Sequence, residues 1–391
     1  MLLENEPYPQ DVRVRAEAKT LVDAGHAVRV LAPRAAGQAR SELVDGVHVR
    51  RYALPQSSGG VAGFVGEYAV AHAQLLPRGL AALLAGADVV HLHNPPDTLF
   101  PVALAARGLG RAAVFDQHDL FPELTAMTLR SSLLERLAGA AQRAALRAAT
   151  EVIVTNESQR ELAIERGGLA PEGVTVVRNG PPRATLVGGG RDGGGTLDAP
   201  KLVYVGRLAP QDGVLDLPAL MSEPALARAS LTVVGGGPCQ RPLESALAAS
   251  ANLAARIRLT GPVEHGRVPA LLAEADIAID PAPCTPFNER STMVKIAEYL
   301  AAGLPVVAYD LLETRRTAGD AAFYARCGER ADFARRVARV AGEPALRAEL
   351  VERAVERAPS LVWERSAEAL LGVYERLPRH METKGAARVR S

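Results

Sequence analysis

The chain is poor in the features that mark secreted disulfide scaffolds, membrane spans and nucleic-acid binders. It has three cysteines in 391 residues, Cys239, Cys284 and Cys327, odd in number and widely spaced. Such a set forms neither a disulfide framework nor a CxxC site, and points to a reducing compartment. No run approaches the roughly 20 apolar residues that span a bilayer. The start, Met1-Leu2-Leu3-Glu4-Asn5-Glu6, lacks the basic and apolar regions of a signal peptide. Net charge is almost absent: 45 basic against 44 acidic side chains leave +1, which excludes the concentrated positive charge of a nucleic-acid footprint. A cytoplasmic location and no nucleic-acid partner are the expectations. Lysine is scarce as well; only Lys19, Lys201, Lys295 and Lys384 stand among the 45 basic residues, so a lysine at a candidate site carries some information.

What is present suffices for two cores. Hydrophobic residues make up 48% of the chain, and 35 glycines and 27 prolines punctuate it with turns. Short β runs at 27–31, 47–51, 88–93, 112–115, 151–155 and 174–177 alternate with helix-length patterns at 12–24, 64–85, 97–108, 131–149 and 157–166. Met1-Leu2-Leu3 reads as the edge of an abbreviated first strand. A second series of strands follows at 202–205, 231–234, 257–259, 277–279 and 306–308, with helices at 344–357 and 361–377. Strands separated by helical crossovers build mostly parallel sheets covered on both faces. The fold class is therefore α/β, with two Rossmann-like domains facing a cleft. The expected divisions are an amino-terminal domain over 1–180, a Gly/Pro-rich linker over 181–200 and a carboxyl-terminal domain over 201–360. A helix over 361–378 packs back on the first domain, and a disordered tail fills 379–391.

Ligands of open α/β sheets bind beyond the carboxyl ends of the strands. Three glycine turns lie there: Gly206-Arg207, Gly235-Gly236-Gly237 and Gly261-Pro262-Val263. Each reads either as a close backbone approach to a ligand or as a tight strand exit. Neither domain has G-x-G-x-x-G after its first strand, and the chain has no P-loop and no G-x-S-x-G elbow. Those absences weaken dehydrogenase, ATPase and serine-hydrolase readings. The densest signal is 286–299, where Ser291 or Thr292 suits the cap of a helix whose first amides would face a diphosphate. Lys295 and Glu298, three apart, share a helical face. They serve either phosphate charge and sugar hydroxyls, or only an exposed ion pair. His91, His93, His118 and Asp119 lie at strand ends, and their spacing matches no metal motif; polar substrate contacts suit them better, with His91 structural. Around 129–149, Arg130, Arg136, Arg143 and Arg147 accompany an apolar stripe. Packing of the alanines and leucines on the sheet is favoured over lipid contact.

At these residues the chain resembles the retaining GT-B glycosyltransferases of the GT4 family. The likeness rests on the N-x-R-S-T-M-x-K-I-x-E-Y run from Asn288 to Tyr299, with Val205-Gly206-Arg207-Leu208, Val234 to Pro238, Leu259-Thr260-Gly261, Pro7 to Arg15, His91-Leu92-His93 and His118-Asp119. It extends over about 1–377. The resemblance implies that the second domain binds a nucleoside-diphosphate sugar and the first an acceptor: a sugar, a lipid-linked glycan or a small molecule. It implies His118, Arg207 and Lys295 as catalytic residues. The donor would lie against Gly206, Arg207, Gly235, Gly236, Gly261, Val263, Ser291, Thr292 and Lys295, with Glu298 on the ribose. Asn179-Gly180 would close the first domain. No metal and no cofactor beyond the donor is implied, and a polysaccharide, glycolipid or glycosylated-metabolite product fits, with peripheral contact at the inner membrane face an open alternative. The family's first signature glutamate is replaced by Arg290, leaving Glu289 one place off, and Asp212 stands where the family often has lysine. Those departures keep a noncatalytic nucleotide-sugar-binding subunit in view, and an epimerase as a further alternative.

Overall fold

The computed structural model describes residues 1–54, 60–129, 131–187 and 195–378. It divides into two compact units: Met1–Val177 together with the chain from Ala367 onward, and Arg178–Ser366. Arg130, the glycine runs within 188–194 and the tail from 379 lie outside the described residues.

In the first unit the described strands are β1 (Arg29–Pro33), β2 (Ser41–Val44), β3 (Val47–Tyr52), β4 (Val89–His93), β5 (Ala112–Gln117), β6 (Glu151–Val154) and β7 (Val174–Val176). They pair in the orders β1-β3-β2 and β4-β5-β6-β7, parallel except for the β2–β3 hairpin. Leu2 joins the two sets, bridging Leu31 on one side and Leu92 on the other. The opening residues therefore act as a short strand between β1 and β4, as their sequence suggests. β5 is buried along its whole length, as a strand covered on both faces must be. The helix Val12–Asp23 starts where the Asp11 carboxylate accepts from the Val14 amide at 3.0 Å, and buries Arg13, Val14, Glu17, Ala18 and Leu21.

The second unit carries β8 (Lys201–Val205), β9 (Ser230–Val234), β10 (Ile257–Leu259), β11 (Ile277–Asp280), β12 (Val306–Tyr309) and β13 (Ala322–Ala325), all parallel in the order β10-β9-β8-β11-β12-β13. That is the doubly wound order, which reverses direction at β8 and β11 and opens a crevice at their carboxyl ends. One apolar cluster includes Leu202, Leu231, Ile279, Val307 and Phe333; another includes Val203, Ala278, Ile296, Leu300 and Val306. Alternate strand residues thus feed opposite faces.

Two expectations fail here. Cys284 and Cys327, 43 residues apart, are joined in a disulfide, so the cysteines are not three unrelated thiols; only Cys239 is free, and it is buried. On the helix Ser132–Ala148, Ala138, Gln142, Ala145, Leu146 and Ala148 face inward, but Leu133 and Leu137 are 65% and 57% exposed beside Arg136. Seventeen residues carry a wider apolar arc than the sheet covers. No described helix is long and apolar enough to cross a membrane.

Phe333 is fully buried and meets the Tyr309 ring edge-on at 5.0 Å. Phe333→Ala should lower unfolding free energy by about 3–5 kcal/mol in urea titrations, because the surrounding sheet and helices cannot collapse into the space.

Candidate functional site

At the carboxyl ends of β8, β9 and β10 the glycine turns are knitted to one another. The Gly206 amide donates to Val234 O at 3.0 Å, the Leu208 amide to Gly236 O at 2.9 Å and the Gly235 amide to Gly261 O at 3.2 Å. A Cβ on Gly235 would stand 1.9 Å from Gly206 O, and one on Gly237 2.6 Å from Leu208 O; their φ angles of 132° and 156° exclude most side chains in any case. The glycines at 235 and 237 are thus required by a tight strand exit, which brings Gly206, Gly235, Gly236 and Gly261 together. Arg207 is exposed beside them, and Val263 is half-buried.

The segment after β11 departs from expectation. The helix spans Val294–Ala301 and its cap position is Met293, with no side chain on the first amides. Neither Ser291 nor Thr292 caps it; Ser291 Oγ instead donates to Phe287 O at 2.8 Å, closing the short turn Asn288–Arg290. Glu289, the nearest carboxylate to the family's missing glutamate, accepts from the Leu312 amide at 2.7 Å and caps the helix Leu312–Ala318. It does not restore the family pair.

Lys295 is neither a free cation nor an exposed partner of Glu298. Its side chain is 7% exposed, and its ammonium lies 2.8 Å from Asp212 Oδ1, 3.5 Å from Asp280 Oδ1 and 4.9 Å from the Tyr204 ring centroid. Burial alone would lower its pKa, and the two carboxylates with the surrounding tyrosines raise it well above the ordinary lysine value instead. Burial raises Asp280, against the pull of Lys295. Lys295 Cε would lie 2.9 Å from a Cβ on Gly206, so the ammonium stem supports the turn from beneath. The sequence signal was the exchange itself: aspartate in a lysine position and a rare lysine 83 residues later.

Glu298 is turned elsewhere. Its side chain is 15% exposed, with His265 Nε2 3.8 Å from Oε1, and burial raises its pKa against the pull of His265. It lines a small, mostly apolar pocket with Pro181, Thr185, His265, Val268 and Leu272. A carboxylate on such a wall can accept hydrogen bonds from vicinal hydroxyls while apolar neighbours exclude water.

In the first unit the charged groups converge on β4 and β5. His91 and His93 are two apart on β4 and so share a face, their rings stacked at 4.3 Å; Asp116 on β5 is the register partner of His93. Arg13 reaches in from its helix, donating from Nη2 to Asp116 Oδ1 at 2.8 Å, from Nε to Asp116 Oδ2 at 3.2 Å and from Nη1 to Val177 O at 2.8 Å. Glu17, one turn along, lies 3.0 Å from Arg13 Nε. Against the cost of burial, Arg13 and His118 hold Asp116 well below the ordinary carboxylate range. Burial pushes Glu17 well above it despite Arg13, with Asp116 adding to the rise. His118 Nε2 lies 3.1 Å from Asp116 Oδ2 and 3.1 Å from His93 Nδ1. Its partner is therefore Asp116 and not the adjacent Asp119. Asn94 Oδ1 accepts from the amides of His118 and Asp119, which fixes that turn. Arg13, Glu17 and Asp116 were not singled out from sequence, although R-x-x-x-E places the first two on one helical face.

Two α/β units, the second with the doubly wound strand order and with acidic and basic residues gathered at the strand exits, define the GT-B class. Residues 10–180 match the glycosyl transferase 4-like domain and residues 199–343 match glycosyl transferases group 1. It is similar to a D-inositol 3-phosphate glycosyltransferase of Thermomonospora curvata, with 33% identity over 244 residues that cover 56% of this chain and 55% of that protein. The chain spans about half the length of the curated relatives it matches. Among solved structures it resembles sucrose-phosphate synthase from Thermosynechococcus elongatus, with TM-score 0.68 and 19% identity over 94% of this chain and 92% of that one. It also resembles Anabaena HepE in complex with UDP-glucose, with TM-score 0.68 and 17% identity over 96% and 98%. At these identities the solved structures carry the fold alone.

Lys295→Met should cost about 3–5 kcal/mol in chemical denaturation, because it strands the Asp280 carboxylate in the interior. Adding Asp280→Asn should recover part of that loss. A destabilisation below about 1 kcal/mol would mean that the pair is effectively solvated.

Proposed function

We propose that the chain is a retaining glycosyltransferase that moves a sugar from a nucleoside-diphosphate sugar to an acceptor hydroxyl. The observation that carries this reading is Glu298. It is a carboxylate only 15% exposed, 3.8 Å from His265 Nε2, on a pocket wall of a unit that matches glycosyl transferases group 1. In this reading Glu298 holds the ribose hydroxyls, and Arg207 and the first amides of Val294–Ala301 meet the diphosphate. Their charge and dipoles act most strongly as negative charge grows on the leaving phosphate, which is where a transferase gains rate. Lys295, already neutralised by Asp212 and Asp280, fixes the Gly206 turn and does not bind phosphate directly. Val263 and the Gly235, Gly236 and Gly261 turns form the backbone floor for the donor.

By the family resemblance alone we assign His118, oriented by Asp116, to the donor sugar. The anomeric C–O bond to the nucleotide breaks as an acceptor hydroxyl attacks the same face, and the departing phosphate takes the hydroxyl proton. No covalent glycosyl-enzyme forms, in contrast to retaining glycosidases with their paired carboxylates. UDP-sugars are the first donors to test, since HepE binds UDP-glucose. Polyol phosphates head the acceptors, by likeness to the inositol-phosphate enzyme, followed by sugars and lipid-linked glycans.

A second reading has a specific support. Asp212 and Arg290 replace expected donor contacts, and a noncatalytic nucleotide-sugar-binding subunit would tolerate both.

A thermal-shift screen of nucleoside-diphosphate sugars, followed by product mass spectrometry and anomeric NMR, tests the proposal. Glu298→Gln should raise the donor KM about tenfold, a loss of about 1.4 kcal/mol. Arg207→Ala should lower kcat about 100-fold, the scale for removing one transition-state donor. Unchanged kinetics in both variants would refute the assignments, and donor binding without turnover on any acceptor would favour the binding protein.

A further inference from the structure

We propose that Glu17, His91, His93 and Asp116 form a closed structural site for one zinc-type divalent cation within the first unit. This goes beyond the transferase reading and does not depend on it. The four side chains come from one helix and two adjacent strands, and their side-chain exposures are 0%, 2%, 3% and 0%. One nitrogen or oxygen of each lies within 4.8 Å of the others.

The spacing fits a tetrahedron. Zinc bonds of about 2.0–2.2 Å to imidazole nitrogen and carboxylate oxygen require ligand atoms about 3.3–3.6 Å apart. Asp116 Oδ2 lies 3.4 Å from His93 Nδ1 and 3.6 Å from His91 Nε2, and Glu17 Oε2 lies 3.8 Å and 3.9 Å from the same nitrogens. These four contacts exceed good hydrogen-bond lengths and lie within a few tenths of an ångström of the required edges, while the other two edges are bounded at 4.8 Å and must draw in by up to about 1 Å for the four atoms to share a centre.

The unmet valences point the same way. Glu17 Oε2 and His91 Nε2 are buried without a hydrogen-bond partner. Leaving such atoms bare costs about 1–3 kcal/mol each. A proton on Glu17 satisfies one contact, whereas a cation takes a lone pair from all four groups. Arg13 offsets one of the two carboxylates, so with both carboxylates ionised and neutral imidazoles the cluster carries one uncompensated negative charge. The cation overshoots by one positive charge, and its gain must therefore come from coordination.

The surrounding contacts suit ligation. His91 Nδ1 lies 2.8 Å from the Tyr374 hydroxyl, which fixes the ring and leaves Nε2 facing the cluster. Arg13 holds Asp116 by Oδ1 at 2.8 Å and, at the longer distance of 3.2 Å, by the proposed ligand atom Oδ2, a contact the ion replaces while the Oδ1 bond keeps the carboxylate in place. His118 Nε2 keeps its contact to Asp116 Oδ2 and gives up the one to His93 Nδ1. Two nitrogens and two oxygens favour zinc over magnesium or calcium, which prefer all-oxygen shells. With four protein ligands no position is left for substrate, so the ion's role is to tie the helix Val12–Asp23 to β4 and β5 behind His118.

The test uses the full chain, purified without chelator and assayed by elemental mass spectrometry. Stripped protein is then titrated with Zn2+ by thermal shift and with Co2+ by visible spectroscopy. About one equivalent of metal per chain, a Zn2+-dependent rise in Tm and the absorption of tetrahedral Co2+ are expected. Glu17→Gln and His93→Gln should each weaken Zn2+ binding at least about tenfold, while the exposed His48→Gln leaves it unchanged. Circular dichroism identifies any variant that fails to fold, and the wild-type measurements decide the matter without it. Folded wild-type protein with no bound metal and no response to Zn2+ or Co2+ would overturn the proposal and leave the cluster closed by a proton on Glu17. Equal uptake by folded wild type and both ligand variants would overturn it too, by placing the metal elsewhere. Neither outcome touches donor binding, which the Glu298 and Arg207 kinetics report separately.

Discussion

A charge removed from water needs an opposite charge, and each unit of this chain meets that demand at the carboxyl ends of its parallel strands. In the second unit the buried ammonium of Lys295 lies among Asp212, Asp280 and the Tyr204 ring. That contact connects the turn after β8, the end of β11 and the helix Val294–Ala301. The Gly206 turn rests on the lysine stem, and the Gly235 and Gly261 turns are hydrogen-bonded in sequence to Gly206 and to one another. A single ion pair therefore fixes the glycine turns at the strand exits, where the proposed donor site lies. It also explains why Asp212 need not signal a lost site: the positive charge lies across the crevice floor from the usual position, neutralised and structural.

The first unit solves a harder problem. Two carboxylates and three histidines surround one guanidinium, and the balance is not closed by the side chains alone. The result separates two chemically similar carboxyl groups. Asp116, gripped by Arg13, stays ionised and orients His118, while Glu17, equally buried and less well compensated, is driven toward a proton or a cation. Such separation of like groups by environment is the usual way a fold assigns them different tasks.

Much of the fold was legible in the sequence because parallel strands announce themselves. Runs such as Val203-Tyr204-Val205 and Ile277-Ala278-Ile279, separated by helix-length segments, required two covered sheets, and the helix at 344–357 was read to its residue limits. The four-residue β13, Ala322-Phe323-Tyr324-Ala325, has no β-branched residue and was missed. Met1-Leu2-Leu3, read as part of an abbreviated first strand, does pair as one, through single parallel bridges from Leu2 to Leu31 and Leu92. The candidate donor residues were legible as positions but not as partners. Lys295 with Asp212, Glu298 with His265, and Cys284 with Cys327 are all long-range pairings decided by tertiary packing. The capping error at Ser291 has a local cause: its hydroxyl found Phe287 O first, so the helix began two residues later than its best capping side chains.

The placement of the nucleotide on the second unit is what the functional reading stands on, and a crystal structure with a bound UDP-sugar measures it most directly. The ribose hydroxyls should lie within about 2.6–3.2 Å of the Glu298 carboxylate, with the diphosphate over the Gly206 turn and the start of Val294–Ala301. A nucleotide bound away from those strand exits, or a Glu298 carboxylate that stays with His265 and touches no ribose oxygen, would contradict it.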